Sequence, residues 1–425
     1  MFVKQDNRIA LISVDGDPAV EIGQEEAGGQ NVYVLQVGLA LAKQGWLVDM
    51  FTRQSSPDQA AVVQHNANCR TIRLTAGPQE FISRDRLFNY LPEFVKNFQA
   101  FQQREGFEYS IVHTNYWLSS WVGMKLKRQQ ALVQVHTYHS LGAVKYLSVK
   151  DIPEIATTRL ALEKACLETV DRVVATSPQE KSHMGSLVSS QGRIEIIPCG
   201  TDIEKFGSID RYEARQKLGI SLDKSVVLYV GRFDQRKGIE TLVRAIARLN
   251  VQPQANLQLM IAGGSRPGHS DGIERERIGA IVAELGLNDC TIFPGRLCDR
   301  LLPYYYAAAD VCVVPSHYEP FGLVAIEAMA SGTPVVASDV GGLQFTVVPE
   351  VTGLLVPAQD EFAFASAINR IVTNPGYAHQ LGQSGRQRVE AAFSWDSVAS
   401  KLSHLYTLLL VQATRGAEKT PQIAA

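Results

Sequence analysis

Cysteine is scarce and scattered, with six residues in a chain of 425 and no CxxC pair. That spacing argues against a zinc ribbon or a disulfide framework and points to a reducing cytoplasm as the expected compartment. No apolar run approaches the ~18 residues that a membrane-crossing helix needs. The opening "MFVKQDNRIALISV" passes straight into a strand pattern without a signal-peptide layout. Neither sign of charge dominates: 41 Lys and Arg stand against 43 Asp and Glu, a net charge of −2. A nucleic-acid binder held by bulk charge is therefore not expected. The first strand is followed by neither GxGxxG nor GxxxxGK[ST], which disfavours a dinucleotide-dependent oxidoreductase and a P-loop enzyme.

What is present is a globular composition, 45% hydrophobic and 20% charged, with no low-complexity run. The length implies two domains of roughly 200 residues. Strand-like and helix-like runs alternate almost throughout. In the first half the strands read "RIALISV", "LVDMF", "RTIRLTA", "SIVHTN", "LVQVHTY", "RVVATS" and "RIEIIPCG". In the second half they read "SVVLYVG", "LQLMIAGG", "CTIFPG", "VCVVPS" and "PVVAS". Helical patterns lie between them, as in "IETLVRAIARLN", where Ile239, Leu242, Ile246 and Leu249 share one face. Continuous apolar strands separated by helices mean parallel sheets covered on both faces, here an α/β chain of two Rossmann-like domains. The expected division places residues 1–206 in the first domain and 207–394 in the second. The helix 395–412 is expected to pack back on the first domain, and 413–425 to be a disordered tail.

Ligands of open α/β sheets bind beyond the carboxyl ends of the strands, so the expected site is the cleft between the two domains. Each candidate motif falls at such a strand end. "EEAGGQNVYV" (25–34) puts Gly28 and Gly29 at a helix mouth, which fits either a ligand close to the backbone or an ordinary turn. In "GRFDQRKGIETL" (231–242), Arg232 and Lys237 flank a helix start and form a natural diphosphate clamp. "SHYEPFGLVAIEAMASGTPVVAS" (316–338) sets Glu319 and Glu327 on either side of a helix opened by Phe321, Gly322 and Leu323. Glu327 lies within an apolar stretch and suits the vicinal hydroxyls of a ribose. In "VHTYHSLGAVK" (135–145), His139 suits a sugar, and Ser140 and Lys145 suit a phosphate, although a histidine in "HTYH" equally suits a structural role. "DGD" (15–17) reads as a turn before Pro18 rather than a metal-binding pair. No metal site is expected.

Taken together, these stretches resemble the retaining glycosyltransferases of the GT-B fold, family 4, over about residues 8–410. "GGQNVYV", "GRFDQRKG" and "EPFGLVAIEAMASGTPVVAS" are similar to hallmarks of that family. "GGQNVYVLQVGLALAKQGWLVDMFTR" with "HSLGAVK" resembles its sucrose-phosphate synthases. Transferases to inositol phosphate are a near alternative and usually carry Met where this chain has Gln30. Sucrose synthases, which use free fructose, share the GGQ signature. The resemblance implies that His139, Arg232, Lys237 and Glu319 are catalytic. It implies a donor site of Gly28, Gly29, Arg232, Lys237, Leu297, Glu319, Phe321, Gly322, Leu323 and Glu327, with uracil near Leu297. It implies an acceptor site of Gln30, Asn31, Arg84, Tyr116, Ser140, Lys145 and Arg159.

The implied reaction moves glucose from UDP-glucose to fructose 6-phosphate with retention of configuration, by front-side attack. No cofactor is required, and modest stimulation by Mg2+ is compatible. The implied partners are these small molecules, without nucleic acid or membrane; a monomer is compatible with the sequence, which does not set the oligomeric state. A nucleotide-sugar epimerase or hydrolase on the same fold is the more distant alternative.

Overall fold

A computed structural model of the chain describes residues 7–20, 28–148, 152–249 and 256–418. It divides into two compact units, Met1–Pro198 with Trp395–Ala425, and Cys199–Ser394. The first unit holds β1 (Arg8–Ile12), β2 (Leu47–Arg53), β3 (Val62–Asn66), β4 (Cys69–Leu74), β5 (Ile111–Asn115), β6 (Val133–Thr137), β7 (Arg172–Ala175) and β8 (Ile194–Ile196). These form one sheet in the order β3-β4-β2-β1-β5-β6-β7-β8. Seven strands match the apolar runs; β3 is additional. It pairs antiparallel with β4 at the sheet edge, and its residues alternate between exposed and half-buried, so it carries no continuous apolar signal. By contrast β5 and β6 are buried at every position, as interior parallel strands must be. The helix Leu91–Glu105 turns Phe94, Phe98 and Phe101 inward at helical spacing, where Phe98 and Phe101 meet the Phe51 ring edge-on.

The second unit holds β9 (Ser225–Val230), β10 (Leu257–Ala262), β11 (Thr291–Gly295), β12 (Val311–Val314), β13 (Val335–Ser338) and β14 (Gly353–Val356). They form a wholly parallel sheet, β11-β10-β9-β12-β13-β14. β14 was not among the expected strands; it is four residues long and follows a four-residue helix, Leu343–Thr346, too short for a periodic signal. The helix Ile239–Ala247 buries Ile239, Leu242 and Ile246 on the face that the spacing implies.

The division between the units falls earlier than 206, and packing explains why. The helix Ile203–Gly207 belongs to the second unit, where Phe206 sets its ring edge-on to Tyr306 and Lys205 pairs with Asp299. Thr201 also bonds the backbone of Phe393, closing the two ends of that unit on each other. The last helix, Trp395–Glu418, lies in the first unit against the helix Gly29–Lys43. Trp46 Nε1 donates to Ser403 Oγ at 2.9 Å, and His113 Nδ1 meets Tyr406 Oη at 2.6 Å. The helix continues six residues beyond 412, so the expected tail is helical as far as Glu418. Residues 419–425 lie outside the described residues.

Two fully buried histidines line the interior of the first sheet. Burial holds His113 down to about 3, with a smaller contribution from His139, and His136 well below its ordinary value. Both gain their bonds as neutral rings, to Tyr406 and Thr137 and to Thr114. Their folded values lie below the unfolded one, so the stability they confer is present above pH 6.5 and is lost progressively as pH falls below it. The slope is about 1.4 kcal/mol per pH unit for each ring. Imidazole 1H–15N correlation spectra should accordingly show both rings still neutral at pH 5. A protonated ring there would contradict this packing.

Candidate active site

In both sheets the strand order reverses at one point, between β1 and β5 in the first unit and between β9 and β12 in the second. Those points are where open α/β sheets leave room for ligands.

In the first unit, β1 runs into Ser13, Asp15 and Asp17. Gln30, near the start of the helix Gly29–Lys43, donates from Nε2 to Ser13 Oγ at 3.0 Å and to Asp15 Oδ1 at 3.3 Å. Asp15 Oδ2 accepts from Arg84 Nε at 2.8 Å, and the Arg84 guanidinium, still mostly exposed, stands over the Tyr116 ring. Arg84, Asp15, Gln30 and Ser13 thus form one polar chain. Asp17 is buried and accepts from Arg73 Nε at 2.7 Å, as suits a structural turn. Gly28 is extended, and an added Cβ would meet nothing within 4 Å among the described residues, so none of them demands glycine there. Open space beside backbone at a helix mouth is what a closely approaching ligand needs.

Asn31 does not face outward as expected. It is buried, accepting from Gly28 N at 3.2 Å and donating to the Asp17 carbonyl at 3.0 Å, so it ties the turn to the helix start. Arg159 is likewise 2% exposed. It donates to Glu163 Oε1 at 2.7 Å, the Ser140 carbonyl at 2.7 Å and Tyr116 Oη at 3.2 Å. The resemblance implies that it meets the acceptor; instead the helix Ala156–Thr169 turns it inward, where Glu163 also accepts from Gly142 N. Lys145, on the short helix Gly142–Lys145, is exposed, and Ser140 is partly exposed.

His139 and Tyr116 both hold left-handed backbone, φ 59° and φ 71°, which is uncommon for such side chains and concentrates at functional sites. His139 Nε2 lies 2.9 Å from Asn115 Oδ1. Asn115 Nδ2 faces the carbonyls of Ile12 and His113, which fixes its Oδ1 as the acceptor. His139 therefore carries its proton on Nε2 and leaves Nδ1 as an acceptor. Burial lowers its value to about 3, so the ring is neutral. Tyr33 packs edge-on against it at 4.8 Å and against Trp395 at 5.9 Å.

In the second unit the loop after β9 carries Arg232, which is exposed and makes no ion pair or side-chain hydrogen bond among the described residues, and Lys237. Gly238 follows at φ 67°, and an added Cβ would sit 1.9 Å from the Pro315 carbonyl, so glycine is obligatory. That close contact brings the loops after β9 and β12 together. Lys237 Nζ then donates to Glu319 Oε2 at 2.6 Å, with Ser316 Oγ on the same oxygen at 3.3 Å. Phe321 packs inward against Phe393, and Gly322, at φ 96°, opens the helix Leu323–Ala330 with no side-chain cap. Uncapped N–H groups at a helix start suit an anion or hydroxyl oxygens. The "GG" at 341–342, which the sequence reading passed over, packs beneath this loop: Gly342 N donates to the Glu319 carbonyl at 2.8 Å.

Glu327, on that helix, is raised to about 7, chiefly by burial and also by Asp299; Tyr306 and Lys205 oppose the shift. Tyr306 Oη donates to Glu327 Oε2 at 2.7 Å. Tyr306 was also missed, because nothing in "YYY" says which ring turns inward. Leu297, partly buried, follows β11.

Family profiles match both units, glycosyltransferase family 4 over residues 27–205 and glycosyl transferases group 1 over residues 210–388. A D-inositol 3-phosphate glycosyltransferase from Corynebacterium efficiens is 37% identical over 411 residues, covering 94% of this chain and 95% of the relative. The solved structure of a sucrose-phosphate synthase from Thermosynechococcus elongatus is 52% identical, with a TM-score of 0.86, covering 95% of this chain and 99% of that one. At 19% identity, the fold extends to Anabaena HepE, solved with UDP and glucose, with a TM-score of 0.72 over 94% of this chain and 99% of that one. With both units matched and relatives alike over nearly their whole length, this chain belongs to the glycosyltransferases of the GT-B fold.

Proposed function

We propose that the enzyme transfers glucose from UDP-glucose to fructose 6-phosphate, giving sucrose 6-phosphate and UDP with the configuration at glucose retained. The observation that carries this reading is the chain Arg84–Asp15–Gln30–Ser13. A methionine at position 30, as transferases to inositol phosphate usually have, could not join it. The 52% identity to a sucrose-phosphate synthase supports the same choice. The 37% identity to an inositol 3-phosphate glycosyltransferase favours the second reading, inositol phosphate as acceptor.

In the proposed reaction Lys237 and Arg232 hold the diphosphate, Glu327 the ribose, and Glu319 with the backbone of Phe321–Leu323 the glucose. His139 accepts a glucose hydroxyl at Nδ1. Arg84 and Lys145 meet the acceptor's phosphate, and Gln30 its sugar. Arg159 acts through Ser140 and Tyr116. The acceptor's anomeric oxygen bonds glucose C1 as the C1–O bond to the diphosphate breaks, and the acceptor's proton passes to a phosphate oxygen of departing UDP. The carboxylates near these positions are already engaged, Asp15 by Arg84, Glu319 by Lys237 and Glu327 by Tyr306. That engagement supports front-side attack over a covalent carboxylate intermediate of the kind glycosidases form. Electrostatic stabilisation of the leaving diphosphate supplies much of the rate.

Asp15 and Asp17 are each paired with an arginine, so neither is a ready metal ligand. Turnover should therefore survive chelation of divalent metals. Complete loss with a chelator, restored by adding metal, would contradict the proposed clamp of protein cations. The acceptor assignment is tested by supplying fructose 6-phosphate, fructose and inositol phosphate with UDP-glucose and identifying the product.

A further inference from the structure

The oxygen atoms of Glu327 are not equivalent. Oε2 accepts from Tyr306 Oη at 2.7 Å, whereas Oε1 has no hydrogen-bond partner among the described residues. Tyr306 is completely buried and fixed on several sides. Its ring rests edge-on against Phe206 at 5.6 Å, and its backbone carbonyl accepts from Thr333 Oγ1 at 2.7 Å. The phenol sits on the helix Leu302–Ala308 and the carboxylate on Leu323–Ala330, so one hydrogen bond joins two elements of the same unit. A buried hydroxyl that reaches a partly exposed carboxylate both orients it and favours its charged form.

We propose that Tyr306 is a positioning residue for the donor's ribose: by donating to Oε2 of Glu327 it turns Oε1 toward the 2′-hydroxyl of the bound nucleotide. The inference rests on the reading of Glu327 as the ribose carboxylate. The other charged or titratable groups facing Glu327 are Lys205 from the helix Ile203–Gly207, Asp299 from the loop after β11, and Cys312 from β12. Lys205 and Asp299 are paired with each other, and Cys312 is buried with its thiol pushed up by burial. Tyr306 is the group that hydrogen-bonds the carboxylate directly. Glu327 accepts the diol best when ionised, so nucleotide binding draws it toward the carboxylate. Losing the phenol moves the pH at which affinity falls upward.

The test is calorimetric binding of UDP and 2′-deoxy-UDP to the full chain from pH 6 to 9, in wild type, Tyr306→Phe and Glu327→Gln. Tyr306→Phe should weaken UDP about tenfold at pH 7, the loss of one hydrogen bond to a charged group. It should change 2′-deoxy-UDP less than about twofold, and shift the UDP affinity profile to higher pH. Equal weakening of both nucleotides, or no shift of the profile, overturns the role of Tyr306. If Glu327→Gln leaves the preference for UDP over 2′-deoxy-UDP unchanged, the ribose reading itself fails, an outcome separate from the first. Should Tyr306→Phe not fold, Phe206→Leu loosens the phenol without removing it and should lower the same preference in the same direction. An unchanged preference there overturns the proposal.

Discussion

Lys237→Ala is expected to lower kcat by about 30- to 1000-fold at saturating substrates, the 2–4 kcal/mol of barrier that one preorganised charge-assisted donor is worth. The effect falls on kcat because charge builds on the diphosphate as the C1–O bond breaks, so the ammonium matters more in the transition state than in the donor complex. Its position is set by the fold. Gly238 lets the loop after β9 touch the Pro315 carbonyl, and Glu319 receives the ammonium at 2.6 Å. Removing the lysine also leaves the Glu319 carboxylate, only 15% exposed, without its cation beside the developing negative charge. The double variant Lys237→Ala/Glu319→Gln should therefore lose less than the sum of the two single losses. Steady-state kcat for the three variants checks this. An unchanged kcat for Lys237→Ala would remove the lysine from the mechanism.

The second large effect concerns the acceptor. Fructose should be used at least 100-fold less well than fructose 6-phosphate in kcat/KM, because a site built for a charged group rejects the neutral analogue by several kcal/mol. Arg84 and Lys145 are the exposed cations proposed to read the phosphate. Arg84 is steered there by Asp15 at 2.8 Å and by the face of Tyr116. Lys145→Ala should cut the use of fructose 6-phosphate by at least tenfold, leave that of fructose nearly unchanged, and leave UDP affinity nearly unchanged. The measurement is kcat/KM for both acceptors at saturating UDP-glucose. A wild type that uses both equally would be a sucrose synthase, and a variant that loses both acceptors equally would show that Lys145 does not read the phosphate.

Much of this architecture is legible in the chain itself, for a physical reason. Interior parallel strands such as β5 and β6 are buried on both faces, so they leave continuous apolar runs. Strand β3 leaves none because it lies half in solvent at an edge, and β14 was missed because the four-residue helix before it is too short to give the periodic pattern that sets off a strand. The glycine- and charge-bearing loops were legible as motifs, but the contacts that join them, Gly238 against the Pro315 carbonyl and Lys237 with Glu319, were not. Nor was the direction of a side chain on its helix. The resemblance implies Arg159 at the acceptor, yet Glu163, one turn on, holds it buried. Asn31 was read as facing substrate, yet it caps the turn at Asp17. Tyr306, which bonds Glu327, and the 341–342 glycines, which meet Glu319, act through contacts between elements, and such contacts leave no periodic trace in one sequence.

The most direct test of the account is one incubation with UDP-glucose and an equimolar mixture of fructose 6-phosphate, fructose and inositol phosphate, with the products resolved by mass spectrometry. The account predicts UDP and a single dominant disaccharide phosphate, which phosphatase converts to sucrose. A dominant glucosyl-inositol phosphate, free sucrose as the first product, or free glucose without transfer would each contradict it.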